Sequence, residues 1–173
     1  MSTQEAQDAG DRRPRIIVVG GGFAGLAAVK ALKHAPVRIL LIDRRNHHVF
    51  QPLLYQVATA VLPPEDIAAP IREVVRRQSN TTVAMAEVIG VDPERRQVLA
   101  HAPDGGEASF PYDYLVLATG VEQSYFGHDE FAPFAPGLKS LVDAQAVRSK
   151  LDGSGANTLS EPMTCIAILS IRS

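Results

Sequence analysis

The chain has 173 residues, 46% of them hydrophobic and 21% charged, an ordinary balance for a soluble globular protein and enough length for one α/β domain with a proper core. Its net charge of −2 implies no general attraction to nucleic acid or to an anionic membrane. The only cysteine, Cys165, excludes an intrachain disulfide, a CxxC redox pair and a cysteine-based metal site, and it fits a reducing cytoplasm.

The first fourteen residues, MSTQEAQDAGDRRP, are polar and unlike a signal peptide, so they read as a mobile tail. No later stretch is long enough to form a membrane-spanning helix. Ile16 to Val19 is predicted as a strand and Ala24 to His34 as a helix, with a glycine loop between them. The loop carries Gly20-x-Gly22-x-x-Gly25. Gly20 allows the tight turn out of the strand, Gly22 lets backbone approach a pyrophosphate, and Gly25 permits close packing of helix on sheet. The helix start, at Phe23 or Ala24, would turn its amides and positive dipole end toward phosphates.

A second apolar run, Val37 to Ile42, is predicted as a parallel strand covered on both faces. It leads into Asp43, 23 residues after Gly20. A carboxylate there can accept both hydroxyls of a ribose and would repel a 2′-phosphate. Strand, loop, helix, second strand and acid in register point to dinucleotide binding, which a glycine loop alone would not.

Arg44 to Leu62, RRNHHVFQPLLYQVATAVL, has no clean period and reads as a long connection, a class that is often functional. After Pro63 and Pro64, the segment Glu65 to Gln78 is predicted as a helix with Ile67, Ile71, Val74 and Val75 on one face. Arg72, Arg76 and Arg77 read as its solvated side rather than as an anion site. Thr81 to Met85 is a short strand. Glu87 to Asp92, Gln97 to His101 and Ala108 to Tyr112 then alternate as a small antiparallel meander, with PDGGE as a turn. Tyr114 to Ala118 reads as another buried strand, ending in Thr119-Gly120.

That return of the chain, about 95 residues after the glycine loop, brings Thr119 and nearby amides to the same carboxyl edge of the sheet. A dehydrogenase that binds only NAD has no need of a meander followed by such a return, whereas two-domain FAD enzymes are built this way. FAD is therefore the expected ligand. The fold class expected is α/β: a Rossmann-like parallel sheet with a small antiparallel β-meander insertion, the two-dinucleotide-binding-domain flavoprotein fold, incomplete here.

From Arg15 to about Lys150, roughly four fifths of the chain, the sequence resembles the type II NADH dehydrogenases, the non-proton-pumping NADH:quinone oxidoreductases. More broadly it is similar to flavoproteins of the pyridine nucleotide-disulphide oxidoreductase kind. The matching stretches are VVGGGFAGL, IDRRNHHVFQPLLYQVATA, EDIAAPIRE, YDYLVLATG and SYFGHDEFAPFAPGLKSL, of which HHVFQPLLYQVATA is the most specific. The resemblance implies that Gly20, Gly21, Gly22, Phe23, Ala24 and Gly25 cradle the FAD pyrophosphate. It implies that Asp43, followed by Arg44, holds the adenosine ribose, and that Asn46 and His47 lie against the adenosine and phosphates. Gln51, Pro52 and Leu53 would pass near the flavin, the backbone of Val88 would read the adenine edge, and Ala118, Thr119 and Gly120 would close over the cofactor.

The family reaction passes a hydride from NADH to the flavin and two electrons from the flavin to a quinone, with no obligatory protein nucleophile or metal. The family works peripherally at a membrane, so the expected location is the cytoplasm at the inner face of the cell membrane. Adjacent His47 and His48 point apart on extended backbone and do not suggest a metal pair. Leu54 and Tyr55 read as core, Pro52 as a rigid corner, and His128 and Asp129 as turn residues.

The likeness stops near Lys150, before the second glycine-rich domain that would hold NADH. Residues 152–162 read as a linker and 163–171 as a short apolar run, which suggests an incomplete or altered carboxyl end. The domain plan is therefore a tail over 1–14, an FAD-binding domain over 15–150 and an atypical tail over 151–173. The alternatives are an FAD-binding fragment without turnover, a related flavoprotein with another acceptor, and a single-domain NAD(P) dehydrogenase.

Overall fold

A computed structural model describes residues 12–121 and 123–153. The predicted linker and terminal apolar run, and most of the predicted tail, lie outside these residues. The chain divides into two compact units, each made of two segments: one of 1–48 with 70–120, the other of 49–69 with 121–173.

The first unit is built on a four-stranded parallel sheet. Its strands are β1 (Arg15–Val19), β2 (Arg38–Asp43), β5 (Thr81–Met85) and β9 (Tyr114–Leu117), in the order β5-β2-β1-β9. Side chains alternate across β1. Ile16 and Val18 face a cluster with Leu26 and Val29 of helix α1 (Phe23–Ala31) and with Ile71 and Val75 of helix α3 (Ile71–Val75). Ile17 and Val19 face Val98 and Ala100 of an antiparallel meander, β6 (Glu87–Asp92), β7 (Gln97–His101) and β8 (Glu107–Pro111). Cover on both faces explains why RIIVV and RILLID are apolar almost throughout. The predicted meander is therefore present, and it serves as the second cover of the parallel sheet.

Helix α1 ends at Ala31, three residues short of its predicted end. Two buried amides hold the frayed end. Gln78 donates to the carbonyl of Val29 at 3.0 Å, and Asn80 donates to Leu32 at 3.0 Å and Ala35 at 3.3 Å. They satisfy carbonyls that a helix terminus leaves without intrahelical donors.

The predicted helix over 65–78 is a larger departure. A 3-10 turn at Pro64–Asp66 and a strand β4 (Ala68–Pro70) precede α3, which spans only five residues. Pro70 is the cause: it offers no amide to a helix interior and disfavours the helical region at Ala69. The expected single apolar face is split accordingly. Ile71 and Val75 enter the sheet core, whereas Ile67 joins the core of the second unit.

The stretch read as an irregular connection is also more ordered than its sequence suggests. It holds strand β3 (His47–Val49), paired with β4, then a 3-10 turn at Gln51–Leu53 and helix α2 (Leu54–Ala58). Leu54, Val57 and Ala58 pack with Ile67 and with Ala144 and Val147 of helix α4 (Leu141–Leu151) to form the second unit's core. Leu54 is therefore core as expected, but Tyr55 is half exposed. Helix α4 opens with a capping box: Ser140 Oγ accepts from the Asp143 amide at 3.2 Å, and the Asp143 carboxylate accepts from the Ser140 amide at 2.8 Å.

The last predicted strand forms as β9, but it is not buried. Tyr114 and Leu117 are both more than 60% exposed, because β9 is an edge of the sheet among the described residues. No helix among the described residues is long and apolar enough to cross a membrane.

Candidate functional site

The strand order places a switch point at the carboxyl end of β1. The chain runs from β1 outward through β2 to β5, then returns to β1's other side as β9. Ligands of open α/β sheets bind in the crevice outside such a point. Gly20 leaves β1 there with φ +105°, a conformation that side chains disfavour. A Cβ on Gly20 would run into the carbonyl of Ala118 just beyond β9, and one on Gly25 would run into the carbonyl of Gly20. Two of the three signature glycines are thus required by close backbone packing. Gly22 differs: a Cβ there would meet nothing within 4 Å, so the approach to the loop is open at that residue.

Gly22 is also the N-cap of α1, which begins with neither a side-chain cap nor an acidic residue in its first turn. A nine-residue helix with this start presents amides and a positive dipole end that suit an anion. Asp43, at the end of β2, orients the loop. Its Oδ2 accepts from the Gly21 amide at 2.5 Å and its Oδ1 from the Arg45 amide at 2.7 Å. A carboxylate offers about four acceptor positions, so both oxygens keep capacity for ribose hydroxyls.

Other expected residues gather at the same edge. Ala118, Thr119 and Gly120 follow β9, with the Ala118 amide donating to Val19 at 2.8 Å and Gly120 at φ +79°. Val88 lies three residues beyond Met85, which pairs with Asp43, and the Ala86 amide donates to the Asp43 carbonyl at 3.0 Å. Arg44 and Asn46 are exposed.

His47 is turned to its neighbour, its Nδ1 lying 3.1 Å from Asn46 Oδ1. His48 is the histidine that reaches the glycine loop. Its Nδ1–H donates to the Gly21 carbonyl at 3.1 Å, and its ring meets Phe23 edge-on with centroids 4.9 Å apart. A carbonyl only accepts, so this contact fixes the proton on Nδ1. The period of two along β3 is the signal that one histidine of the pair had to face the loop.

Gln51, Pro52 and Leu53 form their 3-10 turn in the second unit, where the Gln51 side-chain Nε2 donates to the Lys139 carbonyl at 3.4 Å. His128, also in that unit, pairs with Glu130 at 3.1 Å rather than with Asp129, and it stacks on Phe131.

A glycine loop at a switch point, an uncapped helix start and an acid closing the next strand define a dinucleotide-binding α/β unit. The chain belongs to the pyridine nucleotide-disulphide oxidoreductase family, whose sequence pattern matches residues 14–160. It is 46% identical over 154 residues to the type II NADH:quinone oxidoreductase NdhA of Mycobacterium tuberculosis, an alignment covering 89% of this chain and 32% of that protein. Among solved structures it is similar to NDH2 of Plasmodium falciparum in complex with NADH, with a TM-score of 0.73 and 23% identity over 80% of this chain and 29% of that one. It is also similar to the sulfide:quinone oxidoreductase of Aquifex aeolicus, with a TM-score of 0.68 and 25% identity over 81% of this chain and 32% of that one. The chain spans about a third of the length of the curated relatives it matches.

Proposed function

We propose that this chain holds the FAD of a flavoprotein that passes electrons from NADH to a quinone. The observation that carries the FAD assignment is the open approach at Gly22, set at the switch point between an uncapped helix start and Asp43. The NADH and quinone ends of the reaction rest on the likeness to NdhA.

The residues present fit such a cofactor. Gly20, Gly21, Gly22, Phe23, Ala24 and Gly25 would receive the pyrophosphate on backbone amides and the α1 dipole. Asp43 would take the adenosine ribose while continuing to hold Gly21 and Arg45, and its charge would select against a 2′-phosphate. Val88 would lie beside the adenine, and Ala118, Thr119 and Gly120 would close the crevice along β9. His48, by fixing the Gly21 carbonyl, positions the loop without touching a reacting atom. Arg44, Asn46, His47, Gln51, Pro52 and Leu53 keep the roles that the sequence resemblance implies for them.

When bound, FAD supplies the redox chemistry, accepting a hydride and releasing electrons. This chain's residues bind it, orient it and shield its phosphates from water. Attachment to a membrane would be peripheral.

The test is an absorbance spectrum of the purified chain with added FAD, followed by NADH under anaerobic conditions. Protein-bound flavin bands are expected. Bleaching by NADH would support hydride transfer within this chain, and bands that persist would mean that it holds FAD without turnover. Flavin that stays free in solution would sink the assignment.

A further inference from the structure

The residue between Gly20 and Gly22 is held at both of its polar groups. Gly21 is buried, its amide donates to Asp43 Oδ2 at 2.5 Å, and its carbonyl accepts from His48 Nδ1 at 3.1 Å. A Cβ on it would come against the side chain of Ile71, which is itself fully buried. The peptide group that joins Gly21 to Gly22 therefore has a fixed orientation.

That orientation decides where the next amide points. A trans peptide is planar, and its N–H is directed opposite to its C=O. His48 holds the Gly21 carbonyl on one side, so the Gly22 N–H is turned to the other. The amides of the loop are not equivalent. The Gly20 amide donates to the Ile42 carbonyl at 2.8 Å and the Gly21 amide to Asp43, so both are consumed within the fold. Gly22 is exposed, its amide has no partner among the described residues, and a Cβ there would meet nothing within 4 Å. It is the first amide of the loop left for a phosphate oxygen.

A buried carbonyl needs a donor in any fold, and a histidine that only met this need would act on stability alone. Two features separate His48 from that plain role. Its ring stands edge-on to Phe23, the first residue of α1, with centroids 4.9 Å apart, so the donor is braced against the helix start it serves. Its contact also falls on the same residue that Asp43 holds, so the acid placed for the ribose and the histidine on β3 act through one glycine.

We infer, on the strength of the dinucleotide site proposed above, that His48 is a positioning residue for the pyrophosphate: by holding the Gly21 carbonyl it aims the Gly22 amide at a phosphate oxygen.

The test compares ADP, which carries the adenosine and two phosphates of the dinucleotide, with adenosine, which carries no phosphate. Each is titrated into the full chain and followed by the amide resonances of the isotope-labelled protein. In the parent, the Gly22 amide proton should move downfield with ADP and stay in place with adenosine. His48→Phe keeps a ring beside Phe23 and removes the donor. Its affinity for ADP should fall about tenfold, the worth of one hydrogen bond to a charged group, with adenosine changed by less than about twofold. The downfield movement at Gly22 should be lost with it. His48→Asn places an amide N–H near the position of Nδ1 and should bring ADP affinity back to within about threefold of the parent.

A Gly22 amide that ignores ADP in the parent would overturn the inference, and that reading needs no variant to fold. Equal losses for ADP and adenosine in H48F would also overturn it, because they would mean a general loosening of the loop. So would an H48N variant as weak as H48F, since the donor would then not be the cause. FAD is titrated in parallel. ADP binding that follows the expected pattern where FAD fails to bind would uphold the role of His48 and remove the flavin from the proposed function. FAD that binds H48F as tightly as the parent would do the reverse.

Discussion

The two ends of one sheet are built from different materials. At the carboxyl end, the glycine loop offers backbone amides and a helix dipole, with no cationic side chain as its principal device. At the amino end, arginine side chains from separate segments line a recess. A backbone site depends on tight packing, since Gly20 and Gly25 have no room for a side chain. A lining of side chains depends on convergence from distant segments and places little demand on local conformation. The first should fail abruptly when its packing is disturbed, and the second should tolerate substitution.

The largest expected effect is that of Gly25→Val. A side chain there collides with the Gly20 carbonyl, so the loop cannot form beside α1. The loss should exceed about 4 kcal/mol, within the class of exceptional single-site effects. Urea unfolding and flavin retention should both register it, and a variant that keeps flavin would break the comparison.

Ile71→Ala is expected to cost about 3 kcal/mol, since Ile71 is fully buried in the sheet core. It also tests whether the core supports the glycine loop. Ile71 lies where a Cβ on Gly21 would fall. Flavin affinity should therefore fall in this variant.

Asp43→Asn replaces the carboxylate that accepts from Gly21 and Arg45. Loss of two charge-assisted bonds should weaken FAD binding by about 2 kcal/mol in a fluorescence titration. Ser140→Ala removes the α4 cap in the second unit and should lower thermal stability by about 1 kcal/mol. Flavin affinity serves as the control in that case. The smallest effect is the stability change of R72Q/R76Q. The Arg76–Glu73 pair is about 60% exposed on both sides, so unfolding should shift by less than about 0.5 kcal/mol.

The same contrast explains what was legible in the sequence. The glycine loop, both flanking strands and Asp43 are local signals, and all stand where their spacing placed them. The meander was legible from its alternation, and the return of β9 from the apolar run before Thr119. Helix lengths were less so. Pro70 kept the first half of the helix predicted over 65–78 from forming, because a missing amide outweighs a favourable apolar period. The role of His48 depended on which face of a three-residue strand looked toward Gly21, and strand periodicity alone does not settle that. The capping box at Ser140 was readable, since Ser-x-x-Asp before an apolar run is a helix-start pattern, with Asp in place of the usual Glu or Gln. The arginine recess was not readable. Arg13, Arg15, Arg38, Arg72 and Arg76 meet only through the parallel pairing of strands far apart in sequence.

That pairing also sets a timetable for synthesis. β1 gains its first neighbour when Arg38 to Ile42 have been made, but its second starts only with Tyr114 opposite Ile16, 72 positions after Ile42. At a translation rate of about 5–20 residues per second, the central strand would wait roughly 4–15 s with one edge unpaired. An apolar strand in that condition is a template for unwanted pairing with other nascent chains. Yield in the cell should therefore respond to translation speed and chaperone supply between residues 43 and 117 more than to the final stability of either unit.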